Sequence, residues 1–361
     1  MTTLEASESK YLPVSQNEAD DVDTGWEYDK RRWTAISVGK LILIMILCLL
    51  GGYALGMKAP LRSSGAIHHP SKRCVDPSLR REWRSLSDDE KQEYISAVQC
   101  LRRSPSRTNM SQSLYDDFPV IHTRIGNYSH GAAAFLSWHR AFLHIFERTL
   151  KEQCNYSGAM VYWDWTLDWA NLTASPIWSS TTGFGGDGNI SATDDEPIQR
   201  GHCVSDGPFA DLQVPWYGPL YQPHCLSRGF THGRRLQKNG LFVRPEAIES
   251  LMRISKYEQF FLDLEEGAHL AIPKTIQGDF ALFTAPYDPV FMLHHGQLDR
   301  LWWLWQNRDW ANRAHQYEGP AATNSSSRAS ITDMLPFGDL TLDVKVSDII
   351  ETEGQVLCYR Y

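Results

Sequence analysis

The chain has 361 residues, a hydrophobic fraction of 42% and a net charge of −8. That length allows a membrane anchor plus one large domain or two small ones, and the apolar fraction supports a real core. The acidic balance, with no long basic stretch, argues against nucleic acid as a partner.

Residues 1–33 are acidic and polar with no periodicity, which predicts a disordered tail. Residues 41–57, LILIMILCLLGGYALGM, carry no charge. Extended back to residue 34, the run reaches membrane-spanning length, with Lys40 placed where a lysine snorkels. A cleaved signal peptide is the alternative. It fits poorly, because a long polar segment precedes the apolar run instead of a short basic one. Lys30, Arg31 and Arg32 on the near side, against Lys58 and Arg62 beyond, favour a cytosolic N-terminus. The expectation is a type II single-pass protein held in lipid by residues 34–57, with a stalk over 58–73. The domain over 74–361 would then be luminal or extracellular. Sequons at Asn109, Asn127, Asn155, Asn171, Asn189 and Asn324 fit that side of the membrane. So does the even set of Cys74, Cys100, Cys154, Cys203, Cys225 and Cys358, read as disulfides. Their pairing stays open, with Cys203 and Cys225, which bracket a Pro/Gly-rich loop, a candidate local pair.

Within the domain, Ser87-x-x-Glu90 is a capping box opening a helix over 87–102, with Tyr94, Ile95, Val98 and Leu101 at helical spacing. Residues 131–150 read as a helix buried on most sides, from Phe135, Trp138, Phe142, Ile145 and Phe146. His122, His130 and His139 cluster here. His130 and His139 would lie on opposite sides of one helix, so they share a site only if His130 precedes the helix start. His122 must come from a separate element. Trp163 and Trp165 read as core, and Asp164 between them as a cap or an orienting group. Residues 171–240 form a long loop excursion, 244–267 return to helix, and 284–305 become a strongly apolar helix. Short strands close the chain over 330–361.

A second group is His269, His294 and His295. Adjacent histidines sit about 100° apart on a helix, so one of the pair faces a given metal. His295 has Phe291 one turn before it and Asp299 one turn after, which suits a ligand steadied by a carboxylate. His294 then reads as a packing or hydrogen-bonding residue. A single buried histidine is usually a satisfied core residue, and His144, His202, His224, His232 and His315 are read that way; His68 and His69 lie in the stalk. The two clusters differ, since each sits in an aromatic helix pattern with a charged neighbour at fixed offset. All-imidazole sites suit copper, zinc or iron, and the lack of carboxylate or thiolate ligands favours copper.

These residues resemble the tyrosinase and haemocyanin family of type-3 copper proteins, and specifically the fungal tyrosinase-like members. The carriers are His130-x4-Phe135-Leu136-x-Trp138-His139-Arg140 with Glu147 following, and Asp288-Pro289-x-Phe291-x3-His295-x3-Asp299. The Tyr162–Trp165 segment and the closing Tyr359-x-Tyr361 are similar too. The resemblance implies a mainly α fold: a four-helix-bundle core with long loops and short peripheral strands, preceded by one transmembrane helix. It implies two copper ions that bind O2, with His122, His130 and His139 on copper A and His269 and His295 on copper B. The family's third copper B histidine falls at Pro273, which cannot ligate and should end or kink its helix. Leu270 replaces a residue that is often asparagine in monophenol-oxidising members, and no cysteine between His122 and His130 offers a thioether. With the tyrosine motif at residues 359–361, the resemblance leads one to expect no shielding C-terminal domain of the kind some latent relatives carry.

The function implied is a copper-dependent oxidation of phenolic groups with O2. The substrate would be a small phenol or a tyrosine-containing peptide in fungal secondary metabolism. The alternative is a catalytically impaired member serving as a membrane-bound scaffold or a mononuclear copper binder.

Overall fold

The computed structural model describes residues 74–108, 111–189 and 200–361. The expected tail, anchor and stalk lie outside these residues. Among the described residues no helix is long and apolar enough to cross a membrane.

Ser87 and Glu90 close the expected capping box at the start of α1, Asp88–Leu101, which buries Tyr94, Ile95, Val98 and Leu101. A second box, Ser113 with Asp116, starts α2, Leu114–Ser129. This helix runs through Pro119 and carries His122, so the separate element expected for that histidine is a helix. His130 caps α2 in extended backbone (φ −127°, ψ 148°), outside both helices as expected. Gly131 follows with φ +57°, a left-handed turn that a β-carbon would strain. It sends the chain into α3, Ala134–Cys154, which ends at left-handed Asn155.

The segment expected as one helix over 244–267 is divided. After α4, Gly233–Val243, come α5, Pro245–Met252, and α6, Tyr257–Leu264. Pro245 at the first turn starts α5 because its missing N–H is not needed there. A π-helical turn over Glu265–His269 joins α6 to α7, Leu270–Ile276. Pro273 lies inside α7, which ends three residues later at Ile276, where Gln277 turns to φ +59°. Last comes α8, Val290–Arg308. Its start is held by Asp288, whose carboxylate accepts the Val290 N–H (3.0 Å) and pairs with buried Arg228 through two bonds of 2.7 and 2.9 Å.

The core bundle is α2, α3, α6–α7 and α8. Tyr257 on α6 bonds the Ala133 carbonyl (2.7 Å) and packs on Trp302 of α8, while Phe260 stacks on Trp305. The strands are short pairs. Gln213–Tyr217 with Leu220–Cys225 makes the one extended hairpin, inside the expected loop excursion. In the tail, Met334–Leu335 pairs with Val344–Lys345. Ser78–Leu79 pairs parallel with Tyr359–Arg360, bringing the two ends of the domain together. Three disulfides tie this frame: Cys74–Cys358, Cys100–Cys154 and the expected local pair Cys203–Cys225. The sequon asparagines 127, 155, 171, 189 and 324 are all exposed; Asn109 lies outside the described residues.

Candidate metal centre

Two groups of three histidines face each other at the middle of the bundle. His122, His130 and His139 each offer a ring nitrogen, all within 4.8 Å of one another, and so do His269, His294 and His295. The groups meet where the His139 and His295 rings stack, 4.2 Å between centroids and 18° between planes. His130 and His269 lie 6.0 Å apart on the other side. All five expected ligands are therefore brought together. His294, expected to pack or hydrogen-bond, does hydrogen-bond, and it also stands among them. His144, His202, His224, His232 and His315 belong to neither group, but the expectation that they are core residues fails: His232 and His315 are exposed and the other three are half-buried. His224, for instance, pairs with Asp279 at 2.9 Å.

The first group is aimed by backbone carbonyls. Nδ1–H of His122 donates to Phe283 O (2.6 Å), that of His130 to Gly126 O (3.1 Å), and that of His139 to Phe135 O (2.7 Å). A carbonyl only accepts, so each Nε2 keeps its lone pair free. Nε2 of His122 and Nε2 of His139 then face each other at 3.2 Å. Two lone pairs at that distance repel unless a cation lies between them. About 3.3 Å is also the spacing of two imidazole nitrogens held about 2.0–2.1 Å from one tetrahedral ion. The donor set thus fits a metal without rearrangement. In the second group, Nδ1–H of His269 donates to Glu265 O (3.3 Å), again leaving Nε2 free.

Burial keeps the rings neutral, which is the form that ligates. It pulls the pKa of His122 to about 3 and of His130 to about 4, and takes His139, His269 and His295 well below the ordinary range. The neighbouring imidazoles push His139 and His295 further down. The wall is aromatic. Phe135 lies 5.0 Å from His269, Phe283 5.0 Å from His130, and Phe291 4.2 Å from His295.

Asp299 does not steady His295, contrary to expectation. Both ring nitrogens of His295 lack a hydrogen-bond partner among the described residues. The Asp299 carboxylate is taken up by Arg140 (2.6 Å), Arg80 (3.2 Å), Tyr359 (2.5 Å) and Tyr361 (2.6 Å). Burial alone would raise its pKa; the two guanidinium groups and two hydroxyls outweigh that and hold it below the usual carboxylate range. Arg80 also reaches Glu147 (2.9 Å). Glu147 of the first motif and Asp299 of the second thus share one buried knot around Arg80.

Glu265 escaped the sequence reading. It lies one turn before His269, and both its oxygens accept the Gly131 N–H (2.9 and 3.0 Å), next to His130. Burial pushes its carboxyl up to about 8. The signal available was its offset of four residues from a candidate ligand.

A profile of the common central domain of tyrosinase matches residues 112–308. The tyrosinase-like protein phomQ1 of Diaporthe leptostromiformis is 46% identical over 311 residues, covering 81% of this chain and 79% of that one. Tyrosinase ustQ of Aspergillus flavus is 43% identical over 289 residues, 80% of each chain. The N-acetyl-6-hydroxytryptophan oxidase ivoB of Emericella nidulans is 32% identical over 344 residues, 79% of this chain and 92% of that one. Among solved structures, a variant polyphenol oxidase from Thermothelomyces thermophila superposes with a TM-score of 0.70 at 25% identity, over 89% of this chain and 95% of that one. The chain belongs to the tyrosinase family, as a fungal tyrosinase-like protein.

Proposed function

We propose that this protein is a copper-dependent oxidase of phenolic groups acting in fungal secondary metabolism. The observation that carries the reading is the pair of facing histidine groups, with His122 and His139 already set around the position of one ion. His122, His130 and His139 would hold the first copper, and His269 and His295 the second. Copper so held supplies the binding and activation of O2 and accepts electrons from a phenol. The chain's own residues do the rest. Backbone carbonyls aim the imidazoles, and Phe135, Phe283 and Phe291 keep water from them. The buried Glu265 carboxyl, beside the first group, is placed to hold a proton. Relatives named for tyrosinase activity and for oxidation of a hydroxylated tryptophan support an aromatic hydroxyl as the reacting group. A small phenol or a tyrosine-containing peptide is the substrate class.

With a proline where the family places a third copper B histidine, a mononuclear copper A protein is the second reading. Metal analysis of the purified domain separates them. Two coppers per chain, with a new near-ultraviolet band on exposure to O2, support the oxidase. One copper and no band support the second reading. No uptake after copper loading sinks both.

The cellular setting belongs to the same proposal. The uncharged run over 41–57 supports a single-pass anchor, and the exposed sequon asparagines support a glycosylated luminal or extracellular domain. Resistance to alkaline extraction from membranes, together with a mass shift on deglycosylation, tests it. Release at high pH would remove the anchor from the account.

A further inference from the structure

His294 differs from its neighbours in the direction of its hydrogen bond. His122, His130, His139 and His269 each give Nδ1–H to a carbonyl. Nδ1 of His294 instead lies 3.2 Å from the Trp165 indole nitrogen, at position Nε1. An indole N–H donates and never accepts. Nδ1 of His294 therefore supplies the lone pair, and in a neutral ring the single proton sits on Nε2. A protonated nitrogen has no lone pair for a metal, so neither nitrogen of His294 is free to ligate in this arrangement.

Trp165 is not loosely placed. Its flanking residue Asp164 accepts from Gln297 of α8 (2.8 Å), and the Trp163 N–H bonds the Leu293 carbonyl (3.1 Å). The indole is thus registered against the same turn of α8 that carries His294. Nε2 of His294 is fully buried and has no partner among the described residues. An N–H left so costs about 1–3 kcal/mol, which points to an acceptor that arrives with the ligand.

We propose that His294 is a hydrogen-bond donor and not a third copper ligand. Trp165 fixes its tautomer, and Nε2–H binds a small acceptor beside a copper held by His269 and His295. Spacing alone would let His294 stand in for the histidine missing at position 273; the Trp165 bond decides against it. The class of ligand is a water, a hydroxide or a small anion with an exposed lone pair. The inference rests on the reading that these histidines hold copper.

The test uses the full chain loaded with copper, with azide as the probe. The His294→Leu variant should keep the native copper content while azide binds about tenfold more weakly, the loss of roughly one hydrogen bond. His294→Gln, whose amide still donates, should recover part of that affinity. Trp165→Phe frees the tautomer, so Nε2 becomes able to ligate, and copper should leave to a chelator several-fold more slowly. Loss of copper in His294→Leu, with native near-ultraviolet circular dichroism, makes His294 a ligand and overturns the proposal. Unchanged azide affinity in that variant overturns it as well. If His294→Leu does not fold, Trp165→Phe decides: copper release as fast as native, or faster, overturns the proposal. A native chain that takes up no copper overturns this inference together with the reading beneath it, whereas a native chain that loads normally confines any failure to His294.

Discussion

The two histidine groups are built to different standards. In the first, three rings from α2, its cap and α3 are each pinned by a backbone carbonyl, and every Nε2 is free. In the second, only His269 is pinned in that way; the His295 ring has no hydrogen-bond partner among the described residues, and His294 is turned by Trp165. Residue counts are equal, yet carbonyls pin all three rings of the first group and only His269 of the second. What separates them is the orientation of the protons on the rings, which a list of nearby histidines does not reveal.

The largest expected effect comes from breaking the point where the groups touch. His139→Ala removes a ligand of the first group and the stacking partner of His295, so copper content should fall by at least one ion per chain and activity should be abolished; metal analysis with an oxygen-uptake assay checks this. Next is the knot around Arg80. Asp299→Ala strands buried Arg80 and Arg140 and should cost about 3–5 kcal/mol in denaturant unfolding. The same carboxylate sets an acid limit. Its folded pKa is depressed, so its contribution is full above the unfolded value of about 3.9 and is lost as pH falls through the lower folded value. Unfolding measured between about pH 5 and pH 2 should lose stability in the native chain and much less in Asp299→Ala. Pro273→His acts on the weaker group alone. If the comparison is right, copper retention against a chelator should rise by about tenfold or more, while the equivalent first-group affinity stays fixed. Gly126→Ala perturbs the stronger group alone. Its β-carbon would meet the Phe283 ring at 3.0 Å, and Phe283 holds His122 through its carbonyl. A helix-propensity gain of about 1 kcal/mol offsets the crowding, so stability should stay within about 1 kcal/mol of native while copper leaves the first group faster. The smallest effect is Ser113→Ala, which removes the cap of the helix carrying His122 and should cost about 1 kcal/mol by thermal unfolding.

Much of this was legible in the sequence because it is local. The box at Ser87 and Glu90, the buried face of α3 and the position of His130 outside its helix all follow from spacing within a turn or two. The proposed ligands His122, His130, His139, His269 and His295 stand in aromatic patterns that the chain repeats nowhere else. What escaped depends on partners far along the chain. Asp299 reads as the neighbour of His295 by helical offset, but Arg80, more than two hundred residues away, claims it. The bond that sets the His294 tautomer spans from residue 165 to residue 294. Pro119 dilutes the periodic signal of α2, and the π turn ahead of Pro273 has no local signature in the sequence. Glu265 shows its character only once Gly131 is brought against it.

The pairing of Ser78–Leu79 with Tyr359–Arg360 has a mechanical consequence. The Cα atoms of Cys74 and Cys358 are 5.5 Å apart and covalently joined. A pull applied to the chain at Cys74 therefore passes into the last strand and not into the helices that carry the histidines. The same closeness makes the domain a ring in all but one peptide bond. A permuted gene that joins residue 361 to residue 74 through a short linker, and opens the chain at the exposed turn around Asn324, should yield the same bundle with its histidine groups intact.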